Sequence, residues 1–132
     1  MSQDLQLVKL QFETGRVGAG SMQLQLAVQG ELQTIDGTAS GTMLEGTQHP
    51  KKFSGRITGV THATGLGTQI LVGALQGQVI VTTEGGGASA YLAPLSAQFS
   101  VDANWNGTGE FRIADQSYEC RVTRIRALEM AD

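Results

Sequence analysis

The chain has 132 residues, a formal net charge of −3 and a pI near 5.3. It is long enough for one well-filled domain, expected over residues 1–132, and too short for a Rossmann unit with a second domain or for a TIM barrel. The acidic balance excludes nucleic-acid binding driven by basic charge, and no apolar run reaches the ~20 residues of a membrane helix. Charged residues make up 16 % of the chain and glycine fills 18 positions, roughly twice its usual share of about 7 %.

The opening Met1-Ser2-Gln3-Asp4-Leu5-Gln6 has neither a basic n-region nor an apolar h-region, so the expected compartment is the cytoplasm. A single cysteine, Cys120, has no intramolecular partner, and the fold must stand on its core.

Period-two alternation dominates from the start. Val8, Leu10 and Phe12 alternate with Lys9, Gln11 and Glu13. After the connection Gly15-Arg16-Val17-Gly18-Ala19-Gly20, the run Met22-Gln23-Leu24-Gln25-Leu26-Ala27-Val28-Gln29 repeats the pattern, with glutamines on the wet face. Ile35, Gly37, Ala39, Gly41 and Met43 share one face, and Phe53, Gly55, Ile57 and Gly59 another. Ile70-Leu71-Val72 and Val79-Ile80-Val81 are continuous apolar runs and read as two strands covered on both faces or lying at an interface. Glu84 to Ser89 reads as a loop. Leu95, Ala97, Phe99 and Val101 then alternate, as do Phe111 with Ile113 and Tyr118 with Cys120 and Val122, while Arg126 to Asp132 allows a short terminal helical turn.

Eight or nine strands with regular turn signals predict an all-β domain: a single antiparallel β-barrel, or a barrel-like sandwich, with little or no helix. Glycines inside strand patterns favour the barrel, where strands bend at corners. Four Phe, two Tyr and one Trp leave most packing to aliphatic side chains and predict a filled interior rather than a large ligand cavity. At Asn106-Gly107 a two-residue hairpin would turn Phe111 away from the face of Phe99. A three-residue loop of Trp105, Asn106 and Gly107, pairing Val101 with Phe111 and Phe99 with Ile113, keeps the faces consistent and puts Trp105 at a loop tip.

In that order, the Gly15–Gly20 turn with Leu24, Leu26 and Val28, the Gly37–Gly41 strand with Thr47-Gln48-His49-Pro50, Ile70-Leu71-Val72, and Trp105 with Gly107-Thr108 resemble the bacterial family known as domain of unknown function 1842. The resemblance implies a small bacterial β-domain with no established activity, and it transfers no functional residue.

Candidate chemistry is sparse. The Gly15–Gly20 stretch lacks the Lys-Ser/Thr and the following helix of a phosphate loop. His49, beside Pro50, and His62, in the glycine-rich Thr61–Gly65 loop, have no metal-spaced partner, so no metal and no cofactor are expected. Cys120 falls on the apolar face, with Arg121 on the other, and reads as an inert buried thiol. Asp102, Glu110 and Asp115 are neighbours in sequence only and read as solvated carboxylates. Arg121, Arg124 and Arg126 lack interleaved aromatics and read as a solvated strand end.

Trp105, flanked by Asn104 and Asn106, is the one ligand-binding candidate, an aromatic platform for a sugar or small molecule, or else a lid over the barrel mouth. The leading functional reading is an interaction or assembly module that forms a homo-oligomer, most simply a dimer. A small-ligand or carbohydrate-binding barrel comes second, and an enzyme last, because no nucleophile–base pair is legible.

Overall fold

The computed structural model describes residues 5–15, 20–29, 33–43, 51–63, 71–83 and 89–125. Eight strands follow one another around a closed antiparallel barrel: β1 Leu5–Thr14, β2 Gly20–Gln29, β3 Thr34–Met43, β4 Lys51–Ala63, β5 Leu71–Thr83, β6 Ser89–Val101, β7 Gly107–Ile113 and β8 Gln116–Ile125. Each pairs with its neighbours in sequence, and β8 returns to β1 through Phe12↔Val122 and Lys9↔Ile125. Full closure removes most of the exposed edge that an open sheet would carry.

Alternation builds this wall directly. The apolar set of each strand points inward, forming one cluster that includes Leu10, Phe12, Met22, Leu24, Ile35, Ile57, Val79, Leu95, Phe111 and Val122. Phe111 sits at its aromatic centre, edge-on to Phe12 at 6.4 Å and stacked on half-buried Tyr118 at 4.9 Å. The outward set is polar and mostly neutral. Gln11 and Gln23, opposite each other on β1 and β2, are joined by a 3.0 Å side-chain hydrogen bond.

The structure corrects two parts of the reading of Ile70–Val72 and Val79–Val81: the runs do not form separate strands, and the second is not covered on both faces within the barrel, which leaves the interface alternative. Leu71 to Thr83 is one strand of 13 residues. Val79 and Val81 are buried, but Ile80 points outward and is 50 % exposed. Glycines at the inward positions Gly73 and Gly77 break the apolar pattern in sequence without breaking the strand. Ile70, Pro50, most of the Gly15–Gly20 connection and the terminal Arg126–Asp132 segment lie outside the described residues.

The Trp105 hairpin is also corrected. The pairs are Val101↔Gly107, Ala97↔Phe111 and Leu95↔Ile113, which leaves a loop of residues 102–106. The expected facing holds, because the true register differs by an even number of residues. The loop closes early because the Asp102 carboxylate accepts backbone N–H bonds from Asn104 at 2.8 Å and Asn106 at 3.1 Å, an Asx-type turn.

Candidate functional site

Three regions of the wall could carry function, at the β6–β7 loop, on the β4–β8 face and along the first half of β6.

Within the β6–β7 loop, Trp105 donates its N–H to the Asp102 carbonyl at 3.0 Å, and its backbone stands in the left-handed region at φ 66°. A bulky residue there is strained, and packing must hold it. The ring supplies that packing. It lies 6.0 Å from the Phe99 ring and is 5 % exposed. Asn104 and Asn106 are exposed on either side, and the Asn106 side-chain oxygen accepts the Arg124 N–H at 3.4 Å, tying the loop to β8.

An open depression of about 640 Å³ runs across β4–β8, lined by the outward Val60, His62, Ala74, Glu110 and Glu119 and by inward residues such as Cys120. His62 is an outward residue near the end of β4 rather than part of a loop. Glu110 and Glu119 stand directly opposite each other on β7 and β8, and Gln98 Nε2 donates to Glu110 Oε1 at 3.2 Å. Among the described residues, no three His, Cys, Asp or Glu side chains group as metal ligands. No buried side-chain N or O among them lacks a hydrogen-bond partner, so no orphaned polar atom marks a ligand position.

Cys120 is buried and inward-facing, and its sulfur contacts the Tyr118 carbonyl at 3.6 Å. Burial, with a smaller contribution from the charge of Glu110, pushes its thiol up to about 12, so a thiolate nucleophile is absent at neutral pH. Asp102 is a loop organiser, Glu110 lies on the wall, and Asp115 occupies the β7–β8 turn, so the three acids do not converge. The Arg121 and Arg124 positions fall on opposite faces of β8, which dissolves the arginine cluster, and Arg126 lies outside the described residues. His49 lies outside them as well.

In the third region the sequence marks only the Val79-Ile80-Val81 run; the Leu92 and Tyr91 part of it is not legible there. Strand β7 meets β6 only from Leu95 to Val101, so Ser89–Pro94 pairs with β5 on one side and has no described strand on the other. Leu92 and Ile80, cross-strand partners on the outer face here, are 64 % and 50 % exposed, and Tyr91 is 45 % exposed. Tyr91 is held by Lys51, whose Nζ donates to its hydroxyl at 3.3 Å and lies 5.6 Å from the ring centre. No helix among the described residues is long and apolar enough to cross a membrane.

Comparison with known proteins gives one family. The family model described as Domain of unknown function (DUF1842) matches residues 4–118. No curated protein matches the chain.

Proposed function

The chain belongs to the DUF1842 family, and from that premise we propose that it is a non-enzymatic interaction module whose partner is a further copy of itself. The observation that carries this reading is the Ile80–Leu92 pair, two directly opposed aliphatic side chains each at least half exposed on a wall that is mostly polar apart from Leu5, Leu7, Val60 and Tyr91. An interior occupied by the buried apolar cluster leaves the outer wall as the working surface, and low surface charge reduces the repulsion that keeps copies apart. The protonated, inward Cys120 supports a non-catalytic role. It also suits a bacterial cytoplasm, where a lone thiol stays reduced. Apolar-in, polar-out alternation is the reverse of a lipid-facing barrel, and the net charge of −3 disfavours nucleic acid, so the reading includes neither partner. Light scattering over a concentration series tests it. A rise in mass toward dimer is expected, and a monomer at about 1 mM, a concentration that reveals even very weak association, rejects it.

A second reading places a saccharide or small apolar ligand at Asn104, Trp105 and Asn106. The strained backbone of Trp105 favours it, since such outliers cluster at ligand sites. The ring would have to turn outward from Phe99 to stack on the ligand. A shift of the single tryptophan's fluorescence on titration with mono- and oligosaccharides is the expected sign, and an unchanged spectrum rejects this reading.

A further inference from the structure

We infer that the chain dimerises by antiparallel pairing of the Ser89–Ala93 edge of β6 with the same edge of a second copy, with Tyr91 on the twofold axis. The inference rests on the proposed self-association and names its surface.

Backbone direction along β6 identifies the free groups. Pro94 turns its carbonyl to the β7 side, where it accepts the Ala114 N–H at 3.0 Å. Strand residues two and four positions away turn their peptide groups the same way. Leu92 and Ala90 therefore present N–H and C=O to a side with no described strand, and such a row is a template for another strand.

Proline selects the register. A twofold centred on Leu92 would oppose Ala90 to Pro94, which has no N–H and whose carbonyl is already engaged. A twofold centred on Tyr91 instead opposes Ala90 to Leu92 of the second copy. Neither residue has a described partner for its N–H or C=O on that side, and in this register they exchange bonds in both directions, with the pair repeated across the axis. Ser89 to Pro94 contains no charged residue, so the paired segments set no like charges of their own directly opposite each other. On the outer face Leu92 then packs beside Ala90 of the second copy, while Ile80, one strand further from the axis, backs Leu92 from the other side. On the other face the two Tyr91 rings meet, each already fixed by Lys51. So short a contact falls at the small end of specific interfaces, and dissociation on the order of tens of micromolar is expected.

Tyr91→Cys tests the register. Residues on the axis form a non-hydrogen-bonded pair with Cα atoms about 4.5 Å apart, within disulfide reach. In a Cys120→Ala background this variant should cross-link to a covalent dimer under mild oxidation. Ser96→Cys, on the part of β6 flanked by both β5 and β7, should not. Leu92→Pro removes an outward donor that no described strand of the barrel uses, and should shift the dimer midpoint about tenfold or more upward while leaving the circular dichroism spectrum unchanged. Leu92→Lys, which keeps the backbone intact, should shift it in the same direction. A wild-type dimer that ignores both Leu92 variants and yields no Tyr91→Cys cross-link overturns the edge assignment while leaving self-association standing. A wild-type monomer overturns both.

Discussion

The ring of Phe99 lies against the α-carbon of Gly73, its directly opposed partner on β5. A Cβ built on Gly73 would sit 2.6 Å from Phe99 Cε2 and closer still to Cζ. The glycine is thus the socket into which an inward phenylalanine folds, the arrangement by which an aromatic compensates for a strand glycine. Phe99 in turn supports Trp105, so the socket positions the loop ring as well.

Gly73→Ala should therefore destabilise the barrel by about 1–3 kcal/mol, the usual cost of overpacking a filled core. Urea unfolding followed by circular dichroism measures this, and Trp105 emission should shift in the folded state as Phe99 is displaced. A neutral substitution would show that the ring can move aside freely.

The same arrangement explains what the sequence hides. Alternation identifies the inward residues because one face is buried and the other wet, and every apolar set described in β1, β2, β6 and β8 follows it. It fails in β5, where Gly73 and Gly77 stand inward opposite Phe99 and Leu95, so small-against-large packing reads as two broken strands. Alternation also decides faces without deciding register, since any even slip preserves it. The loop at Asp102–Asn106 depends on a carboxylate closing the turn, not on hydrophobicity. The Glu110–Glu119 opposition and the bare half of β6 appear only once the strands are aligned. The latter arises because the Ala114-Asp115 turn ends β7 opposite Leu95.

Glu110 and Glu119 give a charge prediction. Like charges directly opposite each other on adjacent strands destabilise, and the Gln98 amide donates to Glu110. Glu119→Lys should stabilise by up to about 1 kcal/mol at low ionic strength, and the gain should shrink in salt as the pair is screened. Denaturation midpoints at low and high sodium chloride check it.

Cys120 gives a pH prediction. Its folded pKa, raised to about 12 chiefly by burial, stands above that of the unfolded thiol. Below the unfolded value both states are protonated, and the contribution to stability is complete. Above it the unfolded chain loses a proton that the native chain keeps, so stability falls as pH rises toward 12. The slope attributable to this residue is about 1.4 kcal/mol per pH unit. The difference between wild type and Cys120→Ala across pH 8–11 isolates it from other alkaline titrations. Native-state labelling by a thiol reagent should likewise be far slower than in the unfolded chain.

Trp105 and Asp102 act as a unit, which allows cap and ligand platform to be separated. Burial of the ring beside Phe99 predicts that Trp105→Ala costs about 3–5 kcal/mol, as large-to-small core changes do, less whatever is recovered from the left-handed backbone. Trp105→Gly should recover about 1 kcal/mol of that relative to alanine, because glycine accepts φ 66° without strain. Asp102→Ala removes the acceptor for two backbone N–H groups and should cost about 1–3 kcal/mol, with Trp105 emission moving to the red as the loop loosens. Asp102→Asn keeps an acceptor oxygen and should restore most of both. If the ring serves a ligand rather than the core, Trp105→Ala will leave the melting temperature nearly unchanged and abolish the saccharide-induced response instead. A large loss of stability with no ligand response assigns the ring to the cap.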